Sequence, residues 1–161
     1  MTPGQDMGTI RDAHSPQDYD DARALFEQYA AWLGFDLGFQ DFARELDNLS
    51  RQYGAPHGCL LLAEVDGDIV GCVGVRRLTD DICEMKRLYV TPDHHGKGLG
   101  RMLAEASIER ARELGYARMR LDTIRTMAAA NALYRALGFR EIAPYRHNPV
   151  EGALFFELEL E

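Results

Sequence analysis

The sequence predicts an α/β (α+β) domain: a mixed, mostly antiparallel central sheet of about seven strands flanked by about four helices. Three observations carry that prediction. Leu60–Val65, Ile69–Val75 and Ile82–Val90 are apolar, strand-like stretches separated only by turns, so they read as an antiparallel meander. The last of them runs through Pro92 and a glycine-rich loop into a helical pattern, then into Arg118–Leu121. That is a β-loop-α-β crossover, which makes its two strands parallel neighbours. Elsewhere apolar residues recur at helical spacing in long segments bounded by glycine.

In chain order, Gly8–Ala13 predicts a short first strand. Ser15-Pro16 reads as an N-cap with proline at the first helical position. Ala22, Leu25, Phe26, Tyr29, Ala30 and Leu33 then extend a helix to Leu33. Gly34 and Gly38 interrupt the pattern, and Phe39, Phe42, Leu46 and Leu49 predict a second helix to Gln52. Gly54-Ala55-Pro56-His57-Gly58 is a loop. Asp66-Gly67 suits a two-residue hairpin turn. After the loop, a helix over Gly98–Leu114 is capped by Gly115, a strand covers Arg118–Leu121, and a helix covers Thr126–Leu137. Phe139–Ile142 and Leu154–Leu160 close the sheet.

With 161 residues the chain suits one domain with one sizeable core. Its net charge of −8 argues against a nucleic-acid surface. No apolar run could span a membrane, and the N-terminus lacks a signal peptide's pattern. Cys59, Cys72 and Cys83 sit in apolar surroundings without a C-x-x-C pair, so reduced core cysteines and a cytoplasmic location are expected.

Chemistry is concentrated between Met85 and Leu103. Gly96, Gly98 and Gly100 precede a helix whose first N–H groups have no internal acceptor, and glycines let a phosphate approach that backbone. A pyrophosphate cradle and a plain connecting turn both fit this loop alone. A Walker A loop would need Ser or Thr after its lysine, where Gly98 follows Lys97. The dinucleotide fingerprint needs a third small residue further along than Gly100.

Two stretches, in order, resemble the GNAT superfamily of N-acetyltransferases. His95-Gly96-Lys97-Gly98-Leu99-Gly100, after the strand Leu88-Tyr89-Val90, is similar to its arginine-or-glutamine-x-x-glycine-x-glycine signature. Ala130-Asn131-Ala132-Leu133-Tyr134 followed by Gly138-Phe139 is similar to its later helix-and-turn motif. The resemblance implies a GNAT-like fold over residues 1–161, with acetyl-CoA as cosubstrate and no metal. It implies that backbone N–H groups from Gly96 to Met102, through Arg101, hold the pyrophosphate, and that Leu88 and Val90 pair with the pantetheine arm. Homodimers are common in the family. Two positions depart from it: His95 replaces arginine or glutamine, and Met127 stands where many relatives carry asparagine, a contact that Asn131 could partly replace.

The implied reaction moves an acetyl group from a thioester to the amine of a small molecule or peptide, with a CoA-binding regulatory domain as the alternative. Tyr134 matches the family's general acid, and its phenol is protonated at neutral pH. Glu84 stands six residues before Val90, an even spacing that predicts the same strand face. A glutamate at the matching position acts as base in some relatives, whereas pairing with Lys86 or Arg87 is the structural alternative. His57, Tyr145, His147, Trp32 and Phe35 are further candidates for the acceptor side.

Overall fold

The computed structural model describes residues 8–34 and 41–160. Its strands are β1 (Thr9–Asp12), β2 (Cys59–Val65), β3 (Asp68–Arg77), β4 (Ile82–Val90), β5 (Arg118–Ile124), β6 (Arg140–Ile142) and β7 (Ala153–Glu159). Its helices are α1 (Pro16–Leu33), α2 (Phe42–Asp47), α3 (Leu49–Gln52), α4 (Leu99–Glu113) and α5 (Ala128–Ala136). Among the described residues the sheet has seven strands in the order β1-β2-β3-β4-β5-β7-β6. Among the described residues only β4 and β5 pair in parallel; the other pairings are antiparallel.

Ser15 starts α1 as read from sequence. Its hydroxyl accepts the Asp18 N–H, while the Asp18 carboxylate reaches back to the Ser15 N–H. Strand alternation sorts the core onto two faces. Leu61, Ala63, Val73, Val75 and Met85 pack under α4 and α5 with Leu103, Ile108 and Phe156. Leu60, Leu62 and Cys72 pack under α1 and α3 with Leu25, Phe26 and Tyr53. Cys59, Cys72 and Cys83 are free and buried, and burial pushes each thiol upward.

Two elements differ from the sequence reading. The predicted second helix is two, because Asn48 leaves helical geometry (φ −136°) and its side-chain amide donates to the Arg44 carbonyl at 2.9 Å. That makes five helices among the described residues; Phe39 lies outside them. Strand β5 continues past Leu121 to Ile124, because Asp122, Thr123 and Ile124 pair with Phe155, Leu154 and Ala153 of β7.

Candidate active site

The site is built where two neighbouring strands separate. β4 and β5 pair only through Ile82–Glu84 and Arg118–Arg120. Beyond that, β3 holds β4 and β7 holds β5, leaving a gap between Met85–Val90 and Leu121–Ile124. A bulge sharpens the divergence. Gly74 faces Lys86 and Cys72 faces Tyr89, so Val73 alone stands opposite both Arg87 and Leu88, with Arg87 at φ 61°.

The bulge overturns one spacing argument. Cys83 and Met85 point to the α4 side before it, and Leu88 and Val90 do so after it, whereas Tyr89 packs on the α1 side. Glu84 therefore shares a face with Tyr89, not with Val90, because one extra residue inverts the alternation.

On the outer side of the gap lies a groove of about 380 Å³ lined by Trp32, Leu88, Val90, His95, Gly98 and Ala130, among others. Thr91 donates its N–H to the Val70 carbonyl at 2.8 Å, so by antiparallel alternation the N–H and C=O of Val90 point to the open edge, away from β3. Tyr89 pairs with Cys72, and its ring meets Tyr29 and Trp32 at centroid distances of 5.9 and 6.3 Å. Gly98 is the N-cap of α4 at φ 82° and offers no side-chain cap, so its N–H and those of Leu99, Gly100 and Arg101 have no helical acceptor. The Met102 N–H is already donated to the Gly98 carbonyl at 3.0 Å, which takes Met102 out of the predicted cradle. A Cβ on Gly96, Gly98 or Gly100 would stand in open space, so the loop leaves room for a group against its backbone. A pyrophosphate fits this cradle by charge and by space. Lys97 and Arg101 are exposed at its rim.

The His95 ring is turned toward the end of β4. Its Nε2 lies 2.7 Å from the Val90 carbonyl oxygen, so the ring donates there and ties the loop to the strand end.

On the inner side lies a smaller cavity of about 50 Å³, whose wall includes Tyr29, Lys86, Asp122, Tyr134 and Asn148. Leu88 and Met127 line both this cavity and the outer groove, so the two spaces meet there. Tyr134 is anchored edge-on to Phe139, with ring centroids 5.8 Å apart, and burial pushes its phenol well above the ordinary value. It is therefore a neutral O–H donor. Burial, reinforced by Arg87, pulls the Lys86 ammonium down to about 8.

Glu84 is fully buried. It accepts from Arg76 Nε at 3.1 Å, from the Tyr145 hydroxyl at 2.7 Å, and pairs with Arg146 at 2.5 Å. Its hydrogen-bonded and ion-paired partners are Arg76, Tyr145 and Arg146, and Lys86 adds its charge from the same strand. Burial alone would raise this carboxyl, but the charges of Lys86, Arg146 and Arg76 hold it below the usual range. Tyr145 and Arg146 belong to the loop between β6 and β7. A second tie is made by Asn148, which donates to Asp122 at 3.1 Å and accepts the Val150 N–H at 3.0 Å. That loop is thereby fastened across the inner cavity.

Asn131 turns inward rather than into the groove: it is buried and its amide donates to the Ile124 carbonyl at 3.0 Å, holding the β5–α5 turn. Trp32 lines the groove and is 53% exposed. His57 and His147 are exposed and outside both cavities, and Phe35 is outside the described residues. The sequence reading missed Asp122, Asn148 and Glu45. Glu45 binds Arg87 twice, at 3.0 and 2.7 Å, and so clamps α2 onto the bulge. An acidic residue inside the otherwise apolar helix pattern around Leu46 and Leu49 was the available signal for Glu45.

Comparison with known proteins agrees with this geometry. The family model described as acetyltransferase (GNAT) family matches residues 18–139. An uncharacterized N-acetyltransferase of Schizosaccharomyces pombe is 42% identical over 147 residues, covering 90% of this chain and 90% of its own. The uncharacterized N-acetyltransferase YjgM of Escherichia coli is 36% identical over 131 residues, 78% of each chain. The structure of YncA from Salmonella typhimurium with its cofactor acetyl-CoA superposes with a TM-score of 0.67 at 26% identity, covering 96% of this chain and 94% of that one. This chain belongs to the GNAT family of acetyltransferases and is an acyltransferase.

Proposed function

We propose that the protein transfers acetyl from acetyl-CoA to a primary amine of a small molecule by direct attack, with both reactants bound. The observation that carries this reading is the shared boundary of the two spaces at Leu88 and Met127, with Tyr134 in the inner wall. A cofactor entering through the outer groove and an amine held in the inner cavity would meet there.

Acetyl-CoA supplies the activated acetyl group. The free N–H groups from Gly98 to Arg101 hold the pyrophosphate, with Gly96 and Lys97 completing the loop. The outward N–H of Val90 and the backbone of Leu88 receive the extended arm as an added strand, and the Val90 N–H polarises the carbonyl. As the neutral amine attacks the thioester carbon and the C–S bond breaks, Tyr134 donates its proton to the departing thiolate and is reprotonated by the proton that the amine nitrogen releases. Glu84, charged and held by three donors, fastens the β6–β7 loop rather than serving as base. The YncA complex with acetyl-CoA supports the assignment of the cosubstrate.

The test is release of free thiol from acetyl-CoA across a panel of amines. Amine-dependent release with a mass increase of one acetyl group on the amine is the expected result. Saturable acetyl-CoA binding without release for any amine would overturn the transfer reading.

A further inference from the structure

We infer that His95 is a positioning residue for the transfer step: by donating to the Val90 carbonyl, it sets the end of β4 so that the Val90 N–H faces the thioester oxygen as negative charge develops there. The inference rests on the transferase reading and deepens it, because it names what holds the polarising donor in place.

The end of β4 has a strand neighbour on one side only. β5 pairs with β4 through Ile82–Glu84 and leaves it beyond that point, whereas β3 follows β4 to Val90. An open edge leaves its N–H and C=O groups without ladder partners. The Val90–Thr91 peptide group is nevertheless held from both sides. Its N–H, from Thr91, donates to the Val70 carbonyl at 2.8 Å, and its C=O, from Val90, accepts from His95 Nε2 at 2.7 Å. A carbonyl oxygen can only accept, so Nε2 carries the hydrogen in this contact. His95 thus stands in for the strand that β5 no longer provides, but only at the acceptor. One N–H donor cannot occupy another, so the Val90 N–H on the same edge stays directed toward the groove.

That division suits the chemistry. A bare carbonyl beside a polarising N–H would repel the oxyanion that forms at the thioester carbon. The imidazole N–H covers the negative end of that carbonyl, so the edge turns toward the oxyanion a donor without an opposing acceptor. The same bond fixes the backbone at Val90, whose N–H must keep its aim while charge develops.

The loop is shaped to deliver the ring there. His95 is extended (φ −67°, ψ 153°) after the short turn Pro92–His94, which Thr91 Oγ1 and His94 Nδ1 close at 3.0 Å. Gly96 follows at φ 77° and turns the chain toward the N-terminus of α4. The backbone therefore goes on to the pyrophosphate loop while the ring goes back to the strand. His95 lines the outer groove together with Leu88, Val90 and Gly98.

The experiment compares the native protein with His95→Leu, which removes the donor, and His95→Gln, whose side-chain amide supplies an N–H at comparable reach. Turnover at saturating acetyl-CoA is followed by thiol release with the most active amine of the panel, and acetyl-CoA affinity by calorimetry. His95→Leu should lower kcat by about tenfold, less than the loss of an oxyanion donor itself, with the dissociation constant within about twofold of native. His95→Gln should recover most of that loss. Weakened affinity with native turnover would make His95 a cofactor ligand and overturn the inference. Equal turnover in all three proteins, or a glutamine variant as slow as the leucine one, would overturn it too. Amide-resolved NMR of the native protein adds an arm that needs neither a variant nor an acceptor. Saturating acetyl-CoA should move the Val90 N–H resonance downfield while the His95 Nε2–H stays bonded to the Val90 carbonyl. Rupture of that bond on adding acetyl-CoA, or an unmoved Val90 N–H, would overturn the positioning role. If no amine releases thiol, the transferase reading fails by itself, and the NMR result alone decides whether His95 sets the Val90 donor; it decides equally if His95→Leu does not fold.

Discussion

The Tyr145 hydroxyl donates to the Glu84 carboxylate at 2.7 Å, joining a loop after the last crossover to the strand at the centre of the sheet. With Arg146 on the same carboxylate and Asn148 on Asp122, the β6–β7 loop has two polar anchors to the splayed strands.

Glu84→Gln should therefore act on stability and acceptor binding. Removing the charge leaves Arg76 and Arg146 without their buried counter-ion, a loss of about 3 kcal/mol and a fall in melting temperature of roughly 6–12 °C. The KM for the amine should rise while acetyl-CoA affinity stays within a few-fold of native, and the acid limb of the pH–rate profile should keep its position. Loss of that limb with native stability would identify Glu84 as the base instead.

Tyr134→Phe removes the neutral donor in the wall of the inner cavity. Turnover should fall by on the order of a hundredfold, the scale of general acid catalysis, with the dissociation constant of acetyl-CoA nearly unchanged by calorimetry. A large loss of affinity with normal turnover would refute the acid role.

Gly100→Asp separates helix stability from cofactor binding. Gly100 is the second helical residue of α4, and a side chain there meets open space. Aspartate favours a helix N-terminus, so the unliganded protein should melt at the same temperature or slightly higher. The same carboxylate would stand in the pyrophosphate position, so acetyl-CoA affinity should drop on the order of a hundredfold. Native affinity in this variant would remove the cradle from the α4 N-terminus.

Lys86 sets a pH dependence with a definite sign. Its folded value of about 8 lies below its ordinary 10.5. Between those two the unfolded chain binds more protons, so this residue's contribution makes stability rise with pH. The cost of burying the ammonium is fully present below pH 8 and is relieved as pH climbs toward 10.5. The shift corresponds to on the order of 3 kcal/mol. Lys86→Met should be more stable than native at pH 7, and the gap measured by urea unfolding should narrow at pH 9.5. A gap that does not change with pH would contradict a buried, depressed lysine.

The sequence by itself determined the order of elements, the hairpin at Asp66-Gly67, the α1 cap at Ser15, the glycine loop before α4 and the placement of Tyr134 beside Gly138-Phe139. These are local matters: period, turn chemistry and capping act between residues a few positions apart. The face of Glu84 could not be read in the same way, because an even spacing holds only in an unbroken strand. The bulge at Arg87 is set by partners far away, Val73 on β3 and Glu45 on α2. The divergence of β4 from β5 follows from competition between the pairings with β3 and β7, which no local pattern encodes. Tertiary structure alone brought Lys86 and Asp122 to one cavity from strands separated by all of α4, turned Asn131 inward, and gave His95 the Val90 carbonyl. Each depends on where a side chain finds its counter-charge or its hydrogen-bond partner after the chain has packed, and that is a long-range choice.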